Sequence, residues 1–121
     1  MISEEVITHV MATEGLSIHA VVLAHEVRDV VYAADAKNQW PDVERVLCWE
    51  VEDPESDVFL LTVDLPGGLR VATTSFDMKD VYGTWDNSSG RESVRILLEF
   101  VDARIRGAME KLTEYAQNLP R

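Results

Sequence analysis

"VFLLTVDLPGGLRVATTSF", residues 58–76, decides the fold of this chain. Two runs rich in β-branched and aromatic residues, "VFLLTVDL" and "LRVATTSF", flank a short connection with turn chemistry. Pro66 suits the first corner of a type I turn, and Gly68 suits the left-handed residue of a three-residue hairpin loop. Such a loop pairs Leu65 with Leu69 and sets Asp64 across from Arg70, an opposite-charge pair. It puts Phe59, Leu61, Val63, Leu65, Leu69 and Val71 on one face of strands over about 58–65 and 69–76.

Upstream, "RVLCWEV" predicts a third strand over about 45–52. If Leu47, Trp49 and Val51 share the core face with Phe59, Leu61 and Val63, Glu52 pairs with Val58 and Asp53–Asp57 becomes a five-residue loop. A loop of even length would instead drive Glu50 and Glu52 toward the core, at several kcal/mol of desolvation. The pattern therefore gathers Glu50, Glu52, Asp53, Glu55 and Asp57 at one hairpin end, with Pro54 and Ser56 as turn residues. The opposite face would carry Cys48, Val58, Leu60, Thr62, Ala72 and Thr74. That set is too apolar for a fully wet surface, so a helix of the chain or a second subunit is expected over part of it.

Downstream, Val94, Leu98, Val101, Ile105, Ala108, Leu112, Tyr115 and Leu119 recur in alternating steps of four and three. This predicts a long amphipathic helix over about 90–118, with Ser89 as its cap and Glu92 reaching back to it. At the other end, "SEEVITHVMATEG" reads as a helix capped by Ser3 and stopped by Gly15. "SIHAVVLAHEVRDVVYAADAK" has helical company throughout, though alternation through Ile18, Ala20 and Val22 also permits strands. "KNQWPDVER" and "DMKDVYGTWDNSSG" read as loops, the second with a broken helical turn at most. The expected architecture is a single α+β domain over 1–121: an antiparallel meander of at least three strands, packed by N-terminal helix or helices and a long C-terminal helix.

Composition agrees with one folded domain: 121 residues, 46% hydrophobic and 27% charged. Its one cysteine, Cys48, allows no internal disulfide and fits a reducing compartment. The N-terminus lacks a basic region ahead of an apolar run, and no apolar run nears the ~18 residues of a membrane span. The expected location is the cytoplasm, that of the host cell if the chain is phage-encoded. Charge is the strongest compositional signal: 22 acidic residues against 11 basic ones give −11. Residues 1–86 hold 17 acids and 5 bases, leaving 5 acids and 6 bases over 87–121. Phosphate backbones and anionic membranes should repel such a chain, whereas a basic protein surface should attract it.

No catalytic motif emerges. His25, Glu26 and Asp29 come nearest to a metal site, His25 and Asp29 lying one helical turn apart; a second histidine is missing, so His9 or His19 would have to be brought in. Cys48 sits mid-strand among apolar neighbours and reads as a structural thiol. No serine has a G-x-S-x-G setting, "PGG" lacks the Lys and helix of a P-loop, and the acidic cluster lacks the order of a calcium loop. No cofactor, metal or catalytic residue is therefore expected. Trp40, Tyr82 and Trp85 fall in loops beside acidic residues and, with Glu50, Glu52, Asp53, Glu55 and Asp57, are the expected partner-binding residues.

The function these features favour is non-enzymatic: an acidic module that docks on a partner with a basic surface, as an immunity protein or phage-type inhibitor docks on a nuclease or nucleic-acid-binding protein. Two other readings stand beside it. One is a dimeric secretion-type chaperone, self-associating through the second sheet face or the C-terminal helix. The other is a small metal-dependent enzyme using His25, Glu26 and Asp29.

Overall fold

Ser3 and Gly15 bound the first helix as their chemistry dictates. In the computed structural model, α1 (Glu4–Glu14) begins where the Ser3 hydroxyl accepts the Val6 N–H at 3.2 Å. It ends at Gly15, whose φ of 64° is the left-handed stop that glycine takes without strain. The structure describes residues 2–16, 22, 26–50, 58–82 and 90–118, with backbone only at 71–74 and 82. The second N-terminal helix is α2 (Val27–Ala36); most of 17–25, over which helix and strand were both open, lies outside the described residues.

Among the described residues three antiparallel strands follow in the order of a meander: β1 (Arg45–Glu50), β2 (Val58–Leu65) and β3 (Leu69–Asp77). The β2–β3 hairpin has the expected register, with Leu65 opposite Leu69 and Asp64 opposite Arg70. Its turn differs in type. Gly67 has φ 91° and the Gly68 N–H reaches the Leu65 carbonyl at 3.2 Å, so Pro66-Gly67 form the corners of a type II turn rather than type I.

Two departures from simple alternation set the faces of this sheet. In β1 the register lies one residue from the expected one: Val46 pairs with Val63, Cys48 with Leu61 and Glu50 with Phe59. Val46 and Cys48 are buried, while Leu47 is half-buried and Trp49 is 40% exposed. The reason lies in what covers β1. α2 lies against β1, its Tyr32 hydroxyl and Asp35 carboxylate bonding the backbone of Cys48 and Val46, while Val27, Val30, Val31, Ala33 and Ala34 are buried in the same core as Val46 and Cys48. Glu50 shares the core face by parity but stands at the sheet's end, exposed. The expected pairing of Glu52 with Val58, and the Asp53–Asp57 loop built on it, fall outside the described residues.

The second departure is a bulge in β3. Val63 pairs with Val71, but Leu61 pairs with Thr74, so one extra residue of β3 is accommodated between them. This shifts the alternation of β3 by one residue beyond the bulge. It also turns Phe76 inward, where it stacks on Phe59 with ring centroids 5.5 Å apart and meets Phe100 at 5.4 Å.

A short helix, α3 (Met78–Tyr82), leaves β3 directly, where a broken turn at most was expected. Asp77 and Asp80 cap it reciprocally, each side chain accepting the other's backbone N–H at 2.9 and 3.0 Å. Then comes α4 (Gly90–Gln117), 28 residues long. Val94, Leu97, Leu98, Val101 and Ile105 are buried in the core with Val6, Ile7, Val10 and the α2 valines. Beyond Ile105 the stripe continues as half-buried Ala108, Met109 and Leu112 and exposed Tyr115. Ser89, expected to cap this helix, lies outside the described residues. At the helix's start, Glu4 of α1 receives Arg91 at 2.6 Å and also Arg95, tying first helix to last. The result is a two-layer α+β domain in which the described helices gather on one face of the sheet.

Candidate functional site

Because the described helices gather on one face, the other face shows what the described residues leave for solvent or a partner. Its rows follow from the register: Trp49–Leu60–Ser75, Leu47–Thr62, and Arg45–Asp64–Arg70, with Val58 and Asp77 at the far end. Leu47, Val58 and Leu60 are half-buried, and Trp49 is one of the few large apolar side chains in the open. Central Thr62 and Asp64 are buried, at 1% and 4% exposed, Asp64 beneath the guanidinium groups of Arg45 and Arg70.

The charged row is a small electrostatic device. The Arg45 Nε lies 2.8 Å from Asp64 Oδ2 and the Arg70 Nε 2.9 Å from Asp64 Oδ1, so one carboxylate serves two guanidinium groups. The Asp64 side chain is only 6% exposed, against 60% and 54% for the arginines. Arg70 first, then Arg45, hold its carboxyl well below the usual 3.8, at about 2. The sign of the pH effect follows: a depressed carboxylate stabilises the fold above its unfolded value, and that stability is lost as pH falls through its folded value. Thermal stability should therefore drop between about pH 4 and pH 2, and Asp64→Asn should flatten this limb while lowering stability at pH 7. A scan of melting temperature against pH on both proteins checks it; identical acid limbs would rule Asp64 out as their source.

Acidic groups collect on the opposite, helical side. Glu14 closes α1, while Glu26 and Asp29 open α2. Partial burial, then the charges of Asp29 and Glu26, raise the Glu14 carboxyl above its ordinary value. Fold thus adds Glu14 to the Glu26–Asp29 pair read from sequence, a neighbour no local spacing could reveal. His25, the remaining member of that triad, lies outside the described residues, as does His19. His9 is half-buried in α1, 3.5 Å from the Thr13 hydroxyl. Among the described residues, no three His, Cys, Asp or Glu side chains gather so as to hold a metal ion.

The expected partner-binding residues fare unevenly. Glu50 is exposed at the end of β1. Glu52, Asp53, Glu55, Asp57 and Trp85 lie outside the described residues, and Tyr82 is described by backbone only. Trp40 is not an exposed anchor: it is 5% exposed, and its indole N–H donates to Asp102 Oδ1 at 3.1 Å while Arg106 holds the other carboxylate oxygen at 3.0 Å. It pins the 37–44 loop to α4 beside a shallow groove of about 400 Å³ floored by Ile105 and Met109. Trp49, assigned to the core by sequence, is the exposed indole instead. Cys48 is fully buried, and burial pushes its thiol up to about 12, which removes it as a nucleophile at neutral pH.

Among the described residues no helix is long and apolar enough to cross a membrane. No family model, no curated protein and no solved structure matches this chain.

Proposed function

We propose that this chain is a non-enzymatic binding module whose acidic helical side docks on a protein with a basic surface, in the manner of an immunity protein or phage-type inhibitor of a nuclease or nucleic-acid-binding protein. The observation that carries this reading is the excess of 22 acidic over 11 basic residues, with Glu14, Glu26 and Asp29 at neighbouring ends of α1 and α2, where burial first and then like charge raise the Glu14 carboxyl. A cationic surface supplies the opposite charge these carboxylates lack in one another, which favours their ionised forms in the docked state. The net charge of −11 steers such a partner from a distance and repels free nucleic acid.

The test begins with the protein immobilised and a partner captured from lysate, then measures association kinetics against salt. Raising salt from about 50 to about 300 mM should slow association with that partner by tenfold or more. Reversing Glu26 and Asp29 to lysine should do the same at low salt with the melting temperature held. A captured partner whose association rate ignores both changes excludes acidic docking.

The open sheet face gives specific weight to the dimeric secretion-type chaperone as a second reading. The two part on the state of the bound partner: an unfolded secreted chain for the chaperone, a folded basic protein for the inhibitor.

A further inference from the structure

We propose that the open sheet face is an interface between two copies of this chain, packed sheet on sheet about a two-fold axis that runs across the strands. This contact is independent of the acidic docking above, because it uses the opposite side of the molecule and leaves Glu14, Glu26 and Asp29 of both copies facing outward.

The distribution of charge selects both the occupant and the axis. One end of the face carries Arg45 and Arg70 around a single Asp64, a cationic end on a strongly acidic protein. The other end, six residues along β2, carries Asp77 opposite Val58. A two-fold axis along the strands would lay Arg45 of one copy over Arg70 of the other, a like-charge contact. An axis across the strands, centred at Leu61, reverses the rows and keeps each strand over its own equivalent. Arg70 then meets Asp77 of the second copy, Trp49 meets Leu47, and Leu60 meets Thr62. The cationic end finds the anionic end twice, and the exposed indole is covered by an aliphatic side chain. Aligned sheets pack this way, about 10 Å apart and rotated by roughly 30°.

The C-terminal turns of α4 make a poorer self-contact. By helical periodicity Arg104 and Lys111 lie on the same flank of the Ala108–Leu112–Tyr115 stripe, and antiparallel pairing sets that flank against its own copy.

Area sets the strength. Three strands spaced ~4.8 Å, some eight residues long, give a face of roughly 14 by 26 Å. Two such faces present a flat footprint of roughly 730 Å² in total, below the ~1,200 Å² of standard interfaces and in the range of weak, transient contacts. The dimer should therefore be weak, with a dissociation constant on the order of tens of micromolar.

Sedimentation equilibrium from about 5 to about 500 µM should show a reversible monomer–dimer equilibrium. Trp49→Glu should raise the dissociation constant by roughly thirtyfold or more without lowering the melting temperature of the dilute monomer. Asp77→Asn keeps the cap on α3 but removes the charge, and should weaken the dimer several-fold and reduce its salt dependence. A wild-type protein that stays monomeric at the highest concentration overturns the proposal. So does a Trp49→Glu protein that dimerises as wild type does, since that moves the self-contact elsewhere. If wild type is monomeric and Trp49→Glu instead abolishes capture of the partner, the face belongs to another protein.

Discussion

Phe76→Ala lowers unfolding stability by about 3–5 kcal/mol, while Trp49→Ala lowers it by no more than about 1 kcal/mol. The first residue is 2% exposed and sits between the Phe59 and Phe100 rings; the second is 40% exposed on a face no described helix covers. Removing Phe76 opens a cavity at the junction of sheet and α4, where the neighbouring rings are held by their own packing and cannot collapse into it. Against the 5–15 kcal/mol typical of a domain, that loss leaves a marginal protein. Urea titrations at low protein concentration, with m held in common, measure both. The ranking is the informative part: unbroken alternation along β1 and β3 puts Trp49 inside and Phe76 on the open face, which reverses it. A larger loss for Trp49→Ala would mean that β1 keeps the alternation register and β3 has no bulge.

That reversal also locates where the sequence stops being legible. Turn chemistry at "LPGGL" specifies its register because a proline and two glycines leave few alternatives, and the Asp64–Arg70 pairing follows from it. The α4 stripe is equally readable, since 28 residues of 3.6-residue periodicity outvote local exceptions. β1 is different. Val46 and Cys48 on one side and Leu47 and Trp49 on the other are both apolar, so alternation allows two registers and bulk favours the wrong one. The choice is made by the packing of α2 on β1, a contact that alternation within β1 does not record. The β3 bulge leaves no mark in "ATTSF" beyond an ordinary strand composition. For the candidate site, the acidic excess was visible at once, but the meeting of Glu14 with Glu26 and Asp29 needed the fold. Trp40 carries the same lesson: beside Pro41 and Asp42 it looks like an interface aromatic, and only the contact with Asp102, 62 residues away, makes it a clasp.

Tyr32→Phe is expected to cost about 1–3 kcal/mol although it removes a single oxygen atom. Among the described residues β1 pairs with β2 only, so its outward N–H and C=O groups have no ladder partner there. The Tyr32 hydroxyl serves both groups of one residue: it accepts the Cys48 N–H at 3.1 Å and donates to the Cys48 carbonyl at 3.0 Å. Asp35, one turn on along α2, accepts the Val46 N–H at 3.0 Å. α2 thus closes the edge with side chains where a fourth strand would close it with backbone. Deleting the hydroxyl leaves a buried donor and acceptor of an apolar residue unsatisfied, which is why the cost exceeds that of an ordinary surface hydrogen bond. Hydrogen exchange separates this from a general loss of stability. The Cys48 amide should lose more protection than the global change explains, while amides of the β2–β3 ladder should follow the global change alone. Asp35 supplies the contrasting case. Burial raises its carboxyl above the usual 3.8, so the ionised form opposes folding above its folded value, and that penalty is relieved as pH falls toward 3.8. Asp35→Asn keeps an acceptor for Val46 without the charge and should be neutral or slightly stabilising at pH 7, whereas Asp35→Ala should resemble Tyr32→Phe. Uniform exchange across the sheet in the tyrosine variant, or equal losses for both aspartate variants, would remove the edge clamp from the account of how β1 is held.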